Sequence, residues 1–293
     1  MHQSSPFNHR LLPYLLVLPQ IAVTLAFFIW PALNAVWLST RQEDAFGLSS
    51  EFVGLEHYIA IFHDGTYTRA LVNTAVFSTG VTVVSLALAL LLAVMADRVV
   101  RGAMVYKTLL IWPYAVAPAV AGVIWWLAFN PSIGVVAYFI NILGYDWNHL
   151  IKARDAMMLV IFAAAWKQIS YNFLFFLAGL QAIPRSLIEA AALDGASPFR
   201  RFWTVIFPLL SPTTFFLLVV NIIYAFFDTF ALIHATTAGG PAGSTETLVL
   251  KVFMDGFVGL DLGGSSAQSV VLMVMVMALT VVQFRFVERK VQY

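Results

Sequence analysis

Six stretches of this chain are long and apolar enough to cross a lipid bilayer as helices. A hydrocarbon core about 30 Å thick takes roughly 20 consecutive, mainly apolar residues in a helix. None of the six shows the period-2 alternation that a membrane β-barrel strand requires. We therefore predict an all-α fold, an integral membrane helical bundle of six transmembrane helices in a single domain over residues 1–293. The predicted spans are 11–30, 71–96, 108–129, 156–180, 209–233 and 268–287.

Composition excludes a water-soluble globular domain. Hydrophobic residues make up 61% of the chain and charged residues 11%, whereas soluble domains have about 45–50% and about 25%. The formal net charge of +1 gives no indication of a nucleic-acid partner. Because the chain has no cysteine, disulfides, thiol nucleophiles and cysteine-ligated metals are excluded as well.

Lysine and arginine concentrate in the loops on one side of the predicted bundle. With the N-terminus inside, ten of the 16 fall on the cytoplasmic side, as the positive-inside rule favours. Both termini are then predicted to be cytoplasmic. The outer loops carry ten acidic and five basic residues, which fits either a docking surface for an external protein or simply solvated loops. The ten cytoplasmic cations are Arg10, Arg98, Arg101, Lys107, Arg185, Arg200, Arg201, Arg285, Arg289 and Lys290.

The connection between the fourth and fifth spans, residues 181–208, is unusually long for a helical connection. Ser186 and Glu189 have the spacing of a capping box, and Asp194-Gly195 favours a turn. Ser197-Pro198 then favours a new helix, with serine as N-cap and proline at the first position. The pattern predicts a helix, a sharp turn and a second helix.

Two interpretations of this hairpin remain open from the residues alone. The small side chains of Ala190 and Ala191 permit close approach to a groove of another protein. Alternatively, the hairpin lies on the membrane surface, with Arg200 and Arg201 facing lipid phosphates.

The same segment resembles the EAA signature of permease subunits of binding-protein-dependent ABC importers. It departs from the family at Phe207, where many members have leucine. The resemblance implies that residues 181–212 form the EAA coupling segment and that residues 189–195 form a coupling helix held in a cleft of an ABC ATPase. The matching residues are Glu189, Ala190, Ala191, Asp194, Gly195, Ala196, Phe202, Ile206, Pro208 and Pro212, of which the first six are predicted to carry ATPase coupling.

The residues needed for catalysis are missing from the sequence. A P-loop requires Gly-Lys-Ser/Thr, and no glycine here is followed by lysine. There is no H-E-x-x-H, the segment 47–50 lacks the second glycine of a nucleophile elbow, and His57 and His63 fit solvated side chains better than a metal pair. We therefore predict a transport subunit that is not an enzyme and has no metal or cofactor of its own. By the family resemblance, ATP and magnesium are bound by the partner ATPase.

Polar residues within two predicted spans are the candidate substrate path. Charged groups in a bilayer usually face a bundle interior or a wet cavity. A lysine there suits an anionic substrate. The competing interpretation is that these side chains hydrogen-bond helices together, including a Lys167–Asp228 pair. The candidates are Lys167, Gln168, Tyr171 and Asn172 in the fourth span, and Asn221, Tyr224 and Asp228, spaced to share one face of the fifth.

Prolines and tryptophans add two local predictions. Pro113 and Pro118 remove backbone donors and are expected to kink the third span. Tryptophans near predicted span ends, including Trp147, are typical of interfacial belts.

Five stretches, one of them within the EAA segment, resemble the permeases of sn-glycerol-3-phosphate importers within the carbohydrate-uptake branch of the family. This implies uptake of sn-glycerol-3-phosphate and glycerophosphodiesters from a periplasmic binding protein, with a second permease subunit and two copies of an ABC ATPase, in a bacterial inner membrane. A permease for a different sugar or polyol, an ion-driven secondary carrier and a membrane enzyme of lipid metabolism are the alternatives. The stretches are 113–122, 166–176, 183–196, 224–230 and 281–291.

Overall fold

The computed structural model of the chain describes residues 12–43, 49–97 and 103–287. The start of the first predicted span, both termini, and Arg98 and Arg101 lie outside the described residues. The α-helices in chain order are α1 Leu12–Thr24, α2 Trp30–Leu38, α3 Glu56–His63, α4 Gly65–Asp97, α5 Ala103–Ile111, α6 Pro118–Ala128, α7 Val135–Ile142, α8 Ala153–Ala182, α9 Arg185–Leu193, α10 Pro198–Arg201, α11 Phe207–Leu209, α12 Ser211–Ile223, α13 Phe230–Thr236, α14 Leu248–Phe253 and α15 Leu262–Val282.

Five helical segments within the described part of the chain are long and apolar enough to cross a membrane. A sixth is obtained if Met104–Ala115 and Pro118–Ala128, which meet at a bend of 104°, are counted as one span. Each predicted span therefore has a helical counterpart, whereas the cytoplasmic placement of the termini stays a prediction. The five are Pro13–Leu38, Gly65–Asp97, Ala153–Ala182, Ser211–Asp228 and Leu262–Arg285.

The third span is broken where its prolines predict a kink. A 3₁₀ turn, Trp112–Ala115, ends the first half, and α6 restarts at Pro118. Proline has no N–H and disfavours helical backbone in the preceding residue. Ala117, before Pro118, accordingly has ψ of 139°. We call the pair Met104–Ala115 and Pro118–Ala128 the broken span.

Several helices contain a π-helical turn. Such a turn inserts an extra residue and rotates everything after it relative to an α-helical face. The π turns are Leu25–Ile29, Phe202–Ile206, Tyr224–Asp228, Met254–Val258 and Gln283–Val287.

The chain divides into two compact units, of which the first comprises residues 1–63 and 252–271. Within it, β1 (Arg41–Glu43) and β2 (Ser50–Phe52) form a short antiparallel hairpin, a small addition to the predicted all-α fold. His57 Nε2 lies 3.0 Å from the carbonyl oxygen of Arg41, and the Arg41 guanidinium lies 4.4 Å from the centre of the Trp37 ring. These contacts tie the hairpin to α2 and α3.

The second unit comprises residues 64–251 and 272–293 and holds a hydrophobic core cluster between α4, α8 and α12. Buried alanines of α4, among them Ala89 and Ala93, face Phe173 and Phe176 of α8. Small side chains let two helices approach closely, and the aromatic rings fill the space between them. This packing fixes α8, which carries four of the seven predicted path residues.

A glycine sets the contact between α6 and α13. A Cβ atom on Gly122 would lie 2.7 Å from the carbonyl oxygen of Leu232 and 2.8 Å from Thr236 Oγ1. The backbone of α6 therefore packs directly on α13, which fixes the second half of the broken span.

Candidate functional site

A cavity of about 620 Å³ lies between the broken span, α8 and the α12 helix with its π turn. The break contributes backbone and small side chains, and the other two elements contribute polar groups. The cavity therefore combines residues of both predicted path helices with the broken third span, whose residues were not among the predicted path residues. Its lining residues are Tyr114, Ala115, Val116, Ala117, Pro118, Lys167, Gln168, Tyr171, Val220, Ile223, Tyr224 and Asp228.

Lys167 lies in the cavity wall and is only 7% exposed. Its Nζ donates a hydrogen bond to the carbonyl oxygen of Val116, in the break of the third span. No ion pair joins Lys167 to Asp228 within the described part of the chain. The lysine is thus positioned by main chain rather than by a carboxylate.

Asn172 and Asn221 do not line this cavity. Both are fully buried, and their side-chain amides exchange two hydrogen bonds, of 2.8 and 3.1 Å. Ser85 of α4 donates a third, of 2.9 Å, to Asn221 Oδ1. This cluster links α4, α8 and α12, which is the interhelical alternative weighed from the sequence.

The expectation that Asn221, Tyr224 and Asp228 share one helical face is wrong. Asn221 ends up between helices, whereas Tyr224 and Asp228 line the cavity. Asn221 and Tyr224 are already about 60° apart on a regular α-helix, and the π turn at Tyr224–Asp228 changes the angular position of Asp228 as well.

Sequence reasoning missed Tyr114 and Val116 as cavity residues. The Tyr114 and Tyr171 rings lie 5.6 Å apart, centroid to centroid, across the break. The signal that points to them is the pair Pro113 and Pro118, because a broken helix exposes backbone where it lines a cavity.

The predicted coupling segment forms a helix, a turn and a second helix. α9 ends at Leu193 with Asp194 as its C-cap, Gly195 has φ of +79°, and the Ala196 N–H donates to the Ala191 carbonyl at 3.1 Å. Positive φ strains any residue with a Cβ, and glycine is free of that strain. The predicted turn is confirmed.

The two predicted helix caps have different outcomes. Ser197 caps α10, accepting a hydrogen bond of 3.3 Å from the Arg200 N–H. Ser186 does not cap α9, because the helix begins at Arg185 with Pro184 at the N-cap position. The capping-box prediction is wrong, since the helix starts after Pro184, two residues earlier than assumed.

Most of the predicted coupling residues lie on an accessible surface. Glu189, Ala190, Asp194 and Gly195 are exposed, and Ala191 and Ala196 are partly buried. Beside them, Leu193 is 90% exposed. An exposed apolar side chain beside small residues has the chemistry of a contact surface.

The loop 143–152, which precedes α8, is stabilised by hydrogen bonds to the buried carboxylate of Asp155. Asp155 accepts hydrogen bonds from Tyr145 Oη at 2.6 Å and from the Asn148 N–H at 2.8 Å. The bond to Asp155 raises the pKa of Tyr145, because the carboxylate favours the protonated phenol. His149 in this loop is 2% exposed, and burial lowers its pKa despite the opposing effects of the Phe129 carbonyl and Asp155.

Trp147 belongs to the interior of this region. It is 5% exposed, and its Nε1 donates to the Phe129 carbonyl at 3.0 Å. Its assignment to an interfacial belt is wrong, because Trp147 packs with Phe129, Ala137 and Leu159 in a buried cluster.

Comparison with known proteins identifies the family. Residues 10–293 match the family described as binding-protein-dependent transport system inner membrane component. The chain is 61% identical over 291 residues to the sn-glycerol-3-phosphate transport system permease protein UgpA of Agrobacterium fabrum, covering 99% of each chain. It is 58% identical over 294 residues to UgpA of Yersinia enterocolitica, covering 100% of each.

The fold has a solved counterpart. A chain in the crystal structure of a bacterial alginate ABC transporter, in complex with an alginate pentasaccharide-bound periplasmic protein, superposes with a TM-score of 0.81 at 20% identity. The match covers 95% of this chain and 94% of that one. With the family match over nearly the whole length, these findings establish that the chain belongs to the inner membrane permease components of binding-protein-dependent transport systems.

Proposed function

We propose that this chain is a permease subunit of an ATP-driven importer that carries sn-glycerol-3-phosphate, and glycerophosphodiesters, across a bacterial inner membrane. The observation that carries the proposal is the identity of 61% and 58% to UgpA proteins over essentially the full length of both chains. The matched region includes the spans, the break and the coupling segment.

The proposed assembly contains a second permease subunit, two copies of an ABC ATPase and a periplasmic binding protein. ATP and magnesium bind to the ATPase. The exposed surface around Glu189, Ala190 and Leu193 supports the placement of ATPase coupling at residues 189–196. In this proposal both termini are cytoplasmic.

The proposed substrate path follows the cavity at the broken span. Lys167, Gln168, Tyr171, Tyr224 and Asp228 line it and are candidates for substrate contact. The buried Asn172–Asn221 pair supports a positioning role for those two residues instead.

Reconstituted transport tests the function. The complete complex in proteoliposomes, with binding protein outside and ATP inside, is expected to accumulate labelled sn-glycerol-3-phosphate. Uptake without ATP would support an ion-driven carrier, and uptake only of another sugar or polyol would replace the proposed substrate. A complex with a hydrolysis-deficient ATPase is the matched control.

Crosslinking tests the coupling surface independently of cargo. The chain has no cysteine of its own, so Leu193→Cys supplies a single reactive site. We expect it to capture the P-loop ATPase, whereas Ile151→Cys, 72% exposed on the loop before α8, is expected not to. Capture from Ile151 alone would reverse the proposed orientation.

A further inference from the structure

The second half of the broken span begins in the cavity with a free helix N-terminus. α6 starts at Pro118, and Ala117 and Pro118 belong to the cavity wall. No side chain caps this end. Within the described residues, the N–H groups of Ala119 and Val120 have no hydrogen-bond acceptor. An uncapped N-terminus carries about half a positive charge and attracts anions.

Lys167 is held at the same break. Its ammonium group has three N–H donors, and the Val116 carbonyl, one residue before the N-cap of α6, accepts from it. No carboxylate of the described residues lies within ion-pairing distance of Lys167. A buried cation without a counter-ion is costly, and an anionic ligand would supply the missing charge.

A third donor in the cavity has no partner. The Tyr224 hydroxyl is buried and makes no hydrogen bond among the described residues. Leaving a buried hydroxyl unpaired costs free energy that a ligand oxygen would recover. Hydrogen-bond donors are supplied by Lys167, by the N-terminus of α6 and by the Tyr224 hydroxyl. The ligand that matches them is a compact oxyanion with several acceptor oxygens.

We propose that this cavity binds the phosphate group of the transported substrate, with Lys167 Nζ and the N-terminus of α6 as its main contacts and the Tyr224 hydroxyl as a further donor. The Val116 carbonyl positions the lysine for this role. The inference rests on the proposed function, because it takes the cargo to be a phosphate ester.

Asp228 determines which way round the substrate lies in the cavity. Its carboxylate lines the same cavity and is exposed. A carboxylate repels phosphate and accepts hydrogen bonds from hydroxyl groups. The phosphate of sn-glycerol-3-phosphate therefore lies toward Lys167 and the glycerol hydroxyls lie toward Asp228.

The experiment uses the complete complex and a cysteine at Ile223, which lines the cavity and is 39% exposed. Maleimide labelling of Ile223→Cys is followed with sn-glycerol-3-phosphate, inorganic phosphate or glycerol present. In the wild type and in Lys167→Arg, we expect sn-glycerol-3-phosphate to slow labelling. Inorganic phosphate either slows it too or has no effect. Glycerol is expected to have no effect, and Lys167→Met is expected to abolish the protection.

Uptake supplies the second measurement. Loss of a hydrogen bond to a charged group corresponds to roughly tenfold or more in affinity, so Lys167→Met is expected to raise KM by that factor. Lys167→Arg is expected to restore most of the loss. Lys152→Met, which removes an exposed lysine paired with Asp146 outside the cavity, is the charge control.

The outcomes separate the two proposals. If the wild-type complex imports sn-glycerol-3-phosphate but Lys167→Met changes neither the KM for uptake nor the protection from labelling, the phosphate site is overturned. The proposed substrate then stands. Absence of uptake by the wild-type complex overturns the proposed substrate and the phosphate site together. Protection by inorganic phosphate shows that the phosphate group suffices, and protection by the ester alone shows that the glycerol part is also needed. Either result supports the site.

Discussion

Asn172 on α8 and Asn221 on α12 form a reciprocal pair of amide hydrogen bonds, of 2.8 and 3.1 Å, in a fully buried position. Asn221 also donates to the Leu217 carbonyl at 2.7 Å and accepts from Ser85. Every donor and acceptor that fixes this contact is internal to the chain, so its energy stabilises the helix arrangement whether or not substrate is present.

Replacing either asparagine with leucine is expected to destabilise the subunit. A buried partner left unpaired costs about 1–3 kcal/mol, and the coupling energy between the two residues should be about 0.6–2 kcal/mol. A double-mutant cycle, by unfolding in mixed micelles, measures it. Thr280→Val, which removes only a bond to the same helix, is the control. Additive effects of Asn172→Leu and Asn221→Leu would contradict the pairing.

Gly195→Val is expected to uncouple ATP hydrolysis from uptake while the subunit still inserts. No atom lies within 4 Å of a Cβ built at Gly195, so the effect comes from the backbone, where positive φ costs about 1–2 kcal/mol with a side chain. The ratio of ATP hydrolysed to substrate imported is the measurement. Gly144→Val has the same strain, with φ of +89° and open surroundings, and should leave the ratio unchanged. Normal coupling in Gly195→Val would count against the coupling role.

Gly122→Ala is expected to impair folding and transport more than Gly80→Ala. The new methyl group at 122 would meet the Leu232 carbonyl at 2.7 Å, a backbone atom that cannot easily yield. At position 80 it would meet the end of the Ile161 side chain at 2.8 Å, which can rotate away. Overpacking costs about 1–3 kcal/mol where the neighbour is fixed. The yield and melting temperature of the purified complex test the order, and equal losses would contradict it.

The loop before α8 is expected to lose stability in acid through His149. Burial lowers its pKa in the folded protein, so the unfolded chain binds more protons below the ordinary histidine pKa. Stability is therefore fully present above that value and falls as the pH drops below it, by at most about 1.4 kcal/mol per pH unit. Hydrogen exchange of residues 143–152 between pH 7.5 and 5.5 measures the effect. His149→Gln should flatten the dependence, and His63→Gln, at an exposed site, should retain it.

The helices could be predicted from sequence because each span needs a long apolar run, and such runs are visible without knowledge of packing. The turn at Gly195 and the break between Pro113 and Pro118 were also predictable. Glycine and proline act through their own backbone restrictions, which are local.

The cavity was only partly predictable, for a physical reason. Lys167 and Asp228 are identifiable as charges within spans, but the Val116 carbonyl and the N-terminus of α6 are backbone groups that any sequence contains. The angular position of Asp228 relative to Asn221 depends on a π turn, and tertiary packing, rather than local residue preference, decides where such a turn forms.

α8 continues for 30 residues without a proline or a π turn, about 45 Å at 1.5 Å per residue. Its first turn carries Asp155, its middle carries Lys167, and α9 begins only three residues after its end. α8 therefore has no hinge of its own. If ATPase coupling acts at residues 189–196 as proposed, a displacement applied there is not absorbed within α8 before it reaches Lys167 and the loop 143–152.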